Sequence, residues 1–295
     1  MEEPRHDTRG IVDPSGLLSR VRFRRHAPAE PLRRYVEWYW LIDWDLPGPY
    51  ASHVVPHPAV NLTFQWDEDE GTPYAELTGV ALGLYTRKLT GRGRVCGVKF
   101  RPGGFRPHAP GAPVSRWTGR VLAAGEVFPS LTGDTARAVV GPARDEDRVA
   151  ALDAFLLALP RVPDPRADLA VDLVARVRAD RSIRRVDDLA RDHGLSVRTL
   201  QRLFSAYVGV SPKWCILRYR IHDALEHAGT RTDVDWATLA HELGYADQAH
   251  LVRDFTATVG VPPTAYAQAE REDDQDAPDA PDAPDAPDAP DAPDA

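Results

Sequence analysis

Two periodicities divide the chain. Val60, Leu62, Phe64 and Trp66 alternate with Asn61, Thr63 and Gln65, a period of two that predicts a half-buried strand. Residues 38–44 (WYWLIDW) predict a buried strand, and residues 30–37 a short helix before it. Residues 85–89 and 95–100 flank Gly91-Arg92-Gly93-Arg94 and predict a β-hairpin, with Pro102-Gly103-Gly104 ending its second strand. Residues 1–20 are irregular, and residues 106–147 are rich in proline and glycine and partly loop. From Arg148 the spacing becomes helical: Val149, Leu152, Phe155, Leu156 and Leu159 fall on one face. The segment 160–165 (PRVPDP) interrupts it, Leu169, Leu173, Val174 and Val177 restart it, and helical signals continue to about Tyr266.

The pattern predicts an α+β chain of two domains. A β-rich sensory or dimerisation domain is expected over residues 1–160 and an all-α domain over 166–268. Residues 269–295 form a tail. Its Asp-Ala-Pro repeat (276–295) has no large apolar side chain and a proline at every third position. It cannot repay its ordering entropy, so disorder is expected. As an acidic tail it would compete with a polyanion for a basic face; as a solvated extension it would have no role.

The helical part repeats itself. Leu200, Arg202, Phe204, Val208, Gly209, Val210 and Pro212 recur as Leu251, Arg253, Phe255, Val259, Gly260, Val261 and Pro263. Upstream, Leu189-Ala190 and Gly194 recur as Leu239-Ala240 and Gly244. Two copies of one supersecondary unit account for this. Each copy reads as helix, glycine turn, helix. Val186, Leu189 and Ala190 lie on the first helix of copy one; Trp236, Leu239, Ala240 and Leu243 lie on that of copy two. Leu195 and Tyr245 anchor the turns, and Ser196 and Asp247 are the expected N-caps.

The second helix of each unit carries the candidate chemistry. Leu200, Leu203 and Phe204 are expected to pack inward, leaving Arg198, Gln201 and Arg202 outward with Thr199 beside them. In copy two Leu251 and Phe255 pack inward, and Gln248, Ala249 and Arg253 lie near the opposing face with His250 next to them. Arginine and glutamine make bidentate contacts to guanine and adenine edges in the major groove, and an alanine methyl can touch thymine. Between the units, Ser211 and Pro212 start a helix. Fifteen residues give a rod of about 22 Å. With half of each unit added, it would set two recognition helices about one turn of duplex, ~34 Å, apart. Lys213, Arg218 and Arg220 on this helix are candidates for phosphate contacts.

Charge and composition narrow the picture. The net charge of −8 opposes nucleic-acid binding at first sight, but residues 267–295 alone carry −10, while 1–165 and 166–266 each carry +1. A near-neutral reader with locally placed arginines is compatible with DNA, with modest non-specific affinity. The two cysteines, Cys96 and Cys215, support neither a disulfide framework nor a cysteine zinc site and suit a reducing cytosol. The N-terminus has no apolar signal region, and no apolar run is long enough to span a membrane.

Other chemistry is thin. His53 and His57 have the spacing of a metal pair but sit between prolines in extended chain, with no third ligand, so no metal is expected. Trp38, Tyr39, Trp40 and Trp44 could line a ligand pocket; core packing is the expected role. Residues 97–104, with a turn at Pro102-Gly103-Gly104, carry no phosphate-cradling pattern, and Cys215 reads as an inert buried thiol. No cofactor is expected.

The segments VDDLARDHGLSVRTLQRLFSAYVGVSP and LAHELGYADQAHLVRDFTATVGVPPTAY make residues 166–268 resemble the C-terminal domain of AraC/XylS-type transcriptional regulators. The resemblance implies seven helices, two helix-turn-helix units and a connecting helix. By position it puts base contacts on Arg198, Arg202, Gln248, Ala249 and Arg253. Ala249 departs from the family, where a polar residue is frequent. PLRRYVEWYW, VNLTF and GRGRVCGVKFRPGGF resemble the regulatory domain of a subgroup and imply no particular ligand. The implied protein is a non-enzymatic, cytoplasmic, sequence-specific activator binding double-stranded DNA. Expected partners are a small-molecule effector in the N-terminal domain, RNA polymerase and a second copy of the chain, and no membrane. One alternative is DNA-repair chemistry on a reactive Cys96, which lacks an activating neighbour in sequence. Another is an interaction protein with a decayed DNA surface, against which Arg198, Arg202, Gln248 and Arg253 stand intact.

Overall fold

The computed structural model describes residues 10–69, 71–230 and 234–268; the acidic tail lies outside them. A short helix α1 (Pro14–Leu18), capped by Asp13, precedes eight strands. These are β1 (Val21–His26), β2 (Val36–Asp45), β3 (Tyr50–Val54), β4 (Asn61–Asp67), β5 (Tyr74–Thr78), β6 (Tyr85–Leu89), β7 (Arg92–Phe100) and β8 (Val121–Ala123). Six form an antiparallel sheet in the order β1-β2-β7-β4-β5-β8, and β3 pairs with β6 in a separate two-stranded sheet. Only a 3-10 turn, Glu30–Leu32, stands where a helix over 30–37 is expected, because β2 begins at Val36.

The expected hairpin of residues 85–100 does not form. β6 pairs with β3, while β7 runs between β2 and β4 at the sheet centre. Exposure explains the split. β7 is buried at almost every position, which suits a strand covered on both faces. β6 alternates and turns Thr86 and Lys88 outward.

The large sheet has two unlike faces. One carries Tyr39, Leu41, Leu62, Phe64, Leu77, Cys96, Val98 and Phe100. It packs against α2 (Gly133–Val140) and α3 (Asp145–Ala158) through Ala136, Val139, Val140, Leu152 and Leu156. Arg148 of α3 is buried against this face, paired with Asp43 at 2.7 Å and donating to the Pro142 carbonyl. The other face carries Trp38, Trp40, Trp44, Thr63, Gln65 and Lys99, and the β3–β6 pair covers it. Thr63 and Gln65, expected toward solvent, are therefore buried. Tyr39 packs in the core as expected, its hydroxyl 2.7 Å from Asp153. Trp44 is buried in a second core with Trp40 packed against it, while Trp38 stays half-buried, and all three indoles also line a cavity. Of the two histidines, His53 bonds Thr86 at 2.9 Å and His57 lies against His222.

The rest is helical: α4 (Pro165–Ala179), α5 (Val186–Asp192), α6 (Val197–Tyr207), α7 (Pro212–Thr230), α8 (Trp236–Glu242) and α9 (Gln248–Val259). Residues 263–268 are helical as well. Two cores form, one around α4, α5, α6 and the start of α7, the other around the end of α7, α8 and α9. Each receives one fully buried valine from the β-rich part: Val80 enters the first and Val55 the second. No helix among the described residues is long and apolar enough to cross a membrane.

Candidate nucleic-acid interface

Each repeat folds as a helix pair around the same turn. Gly194 (φ +64°) and Gly244 (φ +76°) adopt the left-handed conformation that a Cβ disfavours. Leu195 N–H donates to the Ala190 carbonyl at 2.9 Å, and Tyr245 N–H to the Ala240 carbonyl at 2.8 Å. The N-cap of α6 is Ser196, accepting from Thr199 N–H; that of α9 is Asp247, accepting from His250 N–H. Copy two carries one extra turn residue, Ala246, which moves the repeat offset from 50 before the turn to 51 after it.

The cores then fix which faces remain outside. Leu200, Leu203, Phe204 and Tyr207 of α6 are buried, as are Leu251, Phe255 and Val259 of α9. Removing a fully buried phenylalanine such as Phe204 or Phe255 to alanine costs about 3–5 kcal/mol, so these anchors hold their helices firmly. Arg198, Thr199, Gln201 and Arg202 are exposed together on α6, and Gln248, Ala249, His250 and Arg253 on α9. Thr199 shares its hydroxyl with Ser196 at 2.8 Å. His250 leans toward Tyr245, with ring centroids 5.2 Å apart, and lies 3.8 Å from Asp254. Arg253 Nε reaches the Ala249 carbonyl at 3.3 Å along its own helix.

Of the candidate phosphate contacts on α7, Lys213 is exposed. Arg218 is not: it is 5% exposed, donates to the Leu82 carbonyl at 2.8 Å and lies over the Trp214 ring at 4.4 Å. The β-rich domain covers this part of α7. Arg220 is half-buried, bonded at 3.0 Å to the carbonyl of Arg184. Arg184 in turn reaches the Glu242 carbonyl at 3.1 Å, tying the two units together. Nothing in the repeat pattern marked this link.

The β-rich domain grips the helices along their length. Arg34 pairs with Asp168 and Asp172 of α4, and Glu37 with Arg178. Ser115 meets Ser205 at 3.2 Å, and Thr118 donates to the Gly209 carbonyl at 2.7 Å. Ser205 lies one turn beyond Gln201 and Arg202, so the grip reaches the tail of the exposed α6 face and leaves its head open. Burial pushes the Cys96 thiol up to about 12 and also raises that of Cys215, the reverse of activation.

Residues 189–269 match the family model described as a helix-turn-helix domain, and residues 24–123 match that of a domain of unknown function. No curated protein matches the chain in sequence. Among solved structures, an AraC-type regulator from Chromobacterium violaceum is 21% identical, covering 33% of this chain and 88% of its own, at TM-score 0.31. ToxT from Vibrio cholerae is 11% identical over 85% of this chain and 98% of its own, at 0.38. The C-terminal domain of AraT from Geobacillus stearothermophilus is 22% identical over 32% and 84%, at 0.30. The C-terminal part is thus similar in sequence to helix-turn-helix domains, as its two capped helix pairs would lead one to expect.

Proposed function

We propose that the protein is a sequence-specific activator of transcription that lays α6 and α9 into successive major-groove segments of double-stranded DNA. The duplicated unit carries this reading: two capped helices on the same glycine turn, each presenting an arginine and a glutamine outward. Arg198, Gln201, Arg202, Gln248 and Arg253 would read base edges, Ala249 a thymine methyl, and Thr199, His250 and Lys213 the backbone nearby. Residues 166–268 are the proposed reader. Residues 1–160 are the proposed regulatory domain, binding a small-molecule effector and offering the surface for a second copy or RNA polymerase in the cytoplasm.

The test is retention of fragmented host DNA by the purified protein, beside an Arg202→Ala, Arg253→Ala double variant. A few enriched sites with two readable blocks about one helical turn apart, lost in the variant, support the reading. A folded protein that retains no sequence preferentially at any salt, with or without the β-rich domain, overturns it.

A further inference from the structure

We infer that the cavity between the two sheets of the β-rich domain is a binding site for a small planar aromatic anion, an inference that rests on that domain's proposed sensory role. The cavity measures about 220 Å³. An apolar cavity of about 150 Å³ admits benzene, so this one holds a substituted ring or two fused rings.

Its floor is made of flat side chains. Trp40 and Trp44 of β2 pair across the sheet with Gly97 and Gly93 of β7, and each indole lies where a Cβ of its glycine partner would stand. The glycines let the indoles lie down on the sheet. Trp38 pairs with Lys99 further along, and Phe23 of β1 adds a fourth ring to the lining. A domain that needed only a core would fill this space with branched aliphatics at native density. Here Trp38 and Trp40 stay half-buried inside the domain, with their exposed surface turned to the void. Indole faces favour other π-faces in offset or edge-on contact.

The polar lining has one sign. Arg25, Arg87 and Lys99 line the cavity, and among the described residues the nearby carboxylates, Glu76 at 3.8 Å from Arg87 and Glu37 on Lys99, stand outside the lining. Lys99 is 7% exposed, with its ammonium 4.0 Å from the centroid of Trp38 and 3.2 Å from Glu37 behind the wall. The Arg25 guanidinium stands 4.6 Å from the same ring. Glu37 also serves Arg178 at 2.7 Å, so one carboxylate is shared between two cations. Burial and the charges of Arg178 and Arg25 push the Lys99 ammonium down to about 8, against the pull of Glu37. An anion on the cavity side would be attracted by the three cations of the lining, which outnumber the carboxylates Glu37 and Glu76 beside them. A cationic ligand would be repelled, and a neutral one would leave this excess in place.

The experiment titrates the full chain, without DNA, with 2-naphthoate, followed by tryptophan fluorescence and calorimetry. Two comparators separate the parts of the inference: 2-naphthalenemethanol has the rings without the charge, and decanoate the charge without rings. Saturable binding of one 2-naphthoate, at least ten-fold tighter than either comparator and at least ten-fold weaker in Trp40→Leu, is the expected result. Equal affinity for the alcohol overturns the anion preference, and equal affinity for decanoate overturns the planar one. No binding of any probe at millimolar concentration, with native circular dichroism, overturns the site. The same preparation is tested for DNA retention, so loss of DNA binding alone counts against the reader and not against the cavity.

Discussion

The imidazoles of His57 and His222 stack face to face, 3.9 Å between centroids and 3° between planes. His57 lines the cavity of the β-rich domain, and His222 belongs to the helix joining the two helix-turn-helix units. Two stacked rings must not both be charged in so dry a place. Burial, followed by the charge of Arg218, pushes His222 down to about 3. The unfolded chain takes up that proton near pH 6.5, the folded chain only near pH 3, so this stability is complete above pH 6.5 and is lost as pH falls. At pH 5 the loss from this group is about 2 kcal/mol. The melting temperature should therefore drop between pH 7.5 and 5, and His222→Phe, which keeps the stack and removes the proton site, should flatten the drop. Parallel slopes for the two proteins would refute the assignment.

The arginine and the lysine on α7 should separate in a salt titration. Lys213 is exposed at the helix start, while Arg218 is buried on the β-rich domain. Lys213→Ala should lower the slope of log affinity against log salt by about one unit. Arg218→Ala should leave that slope unchanged and lower thermal stability by about 1–3 kcal/mol, since the Leu82 carbonyl loses its partner. A changed slope for Arg218→Ala would return it to the phosphates.

Val80 and Val55 fill different helical cores. Each truncation to alanine should cost about 1–2 kcal/mol, at the low end of large-to-small core changes. In amide exchange, Val80→Ala should speed exchange in α4–α6 and spare α8 and α9, and Val55→Ala should do the reverse. Uniform acceleration in both would mean that the units do not open independently.

His108 is buried against Tyr35 and Phe100, and neither ring nitrogen has a hydrogen-bond partner among the described residues. Burial pushes it down to about 4. Replacing unpartnered polar atoms by carbon of similar shape should be stabilising by about 1 kcal/mol, so His108→Phe is expected to melt a few degrees higher at pH 7.5. A lower melting temperature would indicate a bound water that the imidazole holds.

The helix-turn-helix units were legible because their information is local. Gly194, Ser196, Gly244 and Asp247 define turns and caps within a few residues, and Leu200, Phe204, Leu251 and Phe255 set the faces by helical spacing. The failures were all non-local. Nothing near Tyr85 says that its strand will pair with Tyr50–Val54 rather than with its neighbour in sequence. Arg218 sits among Trp214, Cys215, Ile221 and His222 on α7, and the carbonyl it bonds, that of Leu82, comes from 136 residues away. Trp40 packs against a core and also lines a cavity, because its cross-strand partner Gly97, 57 residues away in sequence, leaves room for the indole to lie on the sheet.

The valines at 55 and 80 also bear on how such a protein can be re-engineered. A helical part whose interior borrows atoms from the β-rich part is not a cassette. A chimaera that joins residues 166–268 to a foreign β-rich domain empties the places of Val80 and Val55 in the two helical cores, and the graft takes only if the new partner brings apolar side chains to the same places. The borders of the exchangeable piece are therefore drawn in space, and they cut the sequence in three places rather than one.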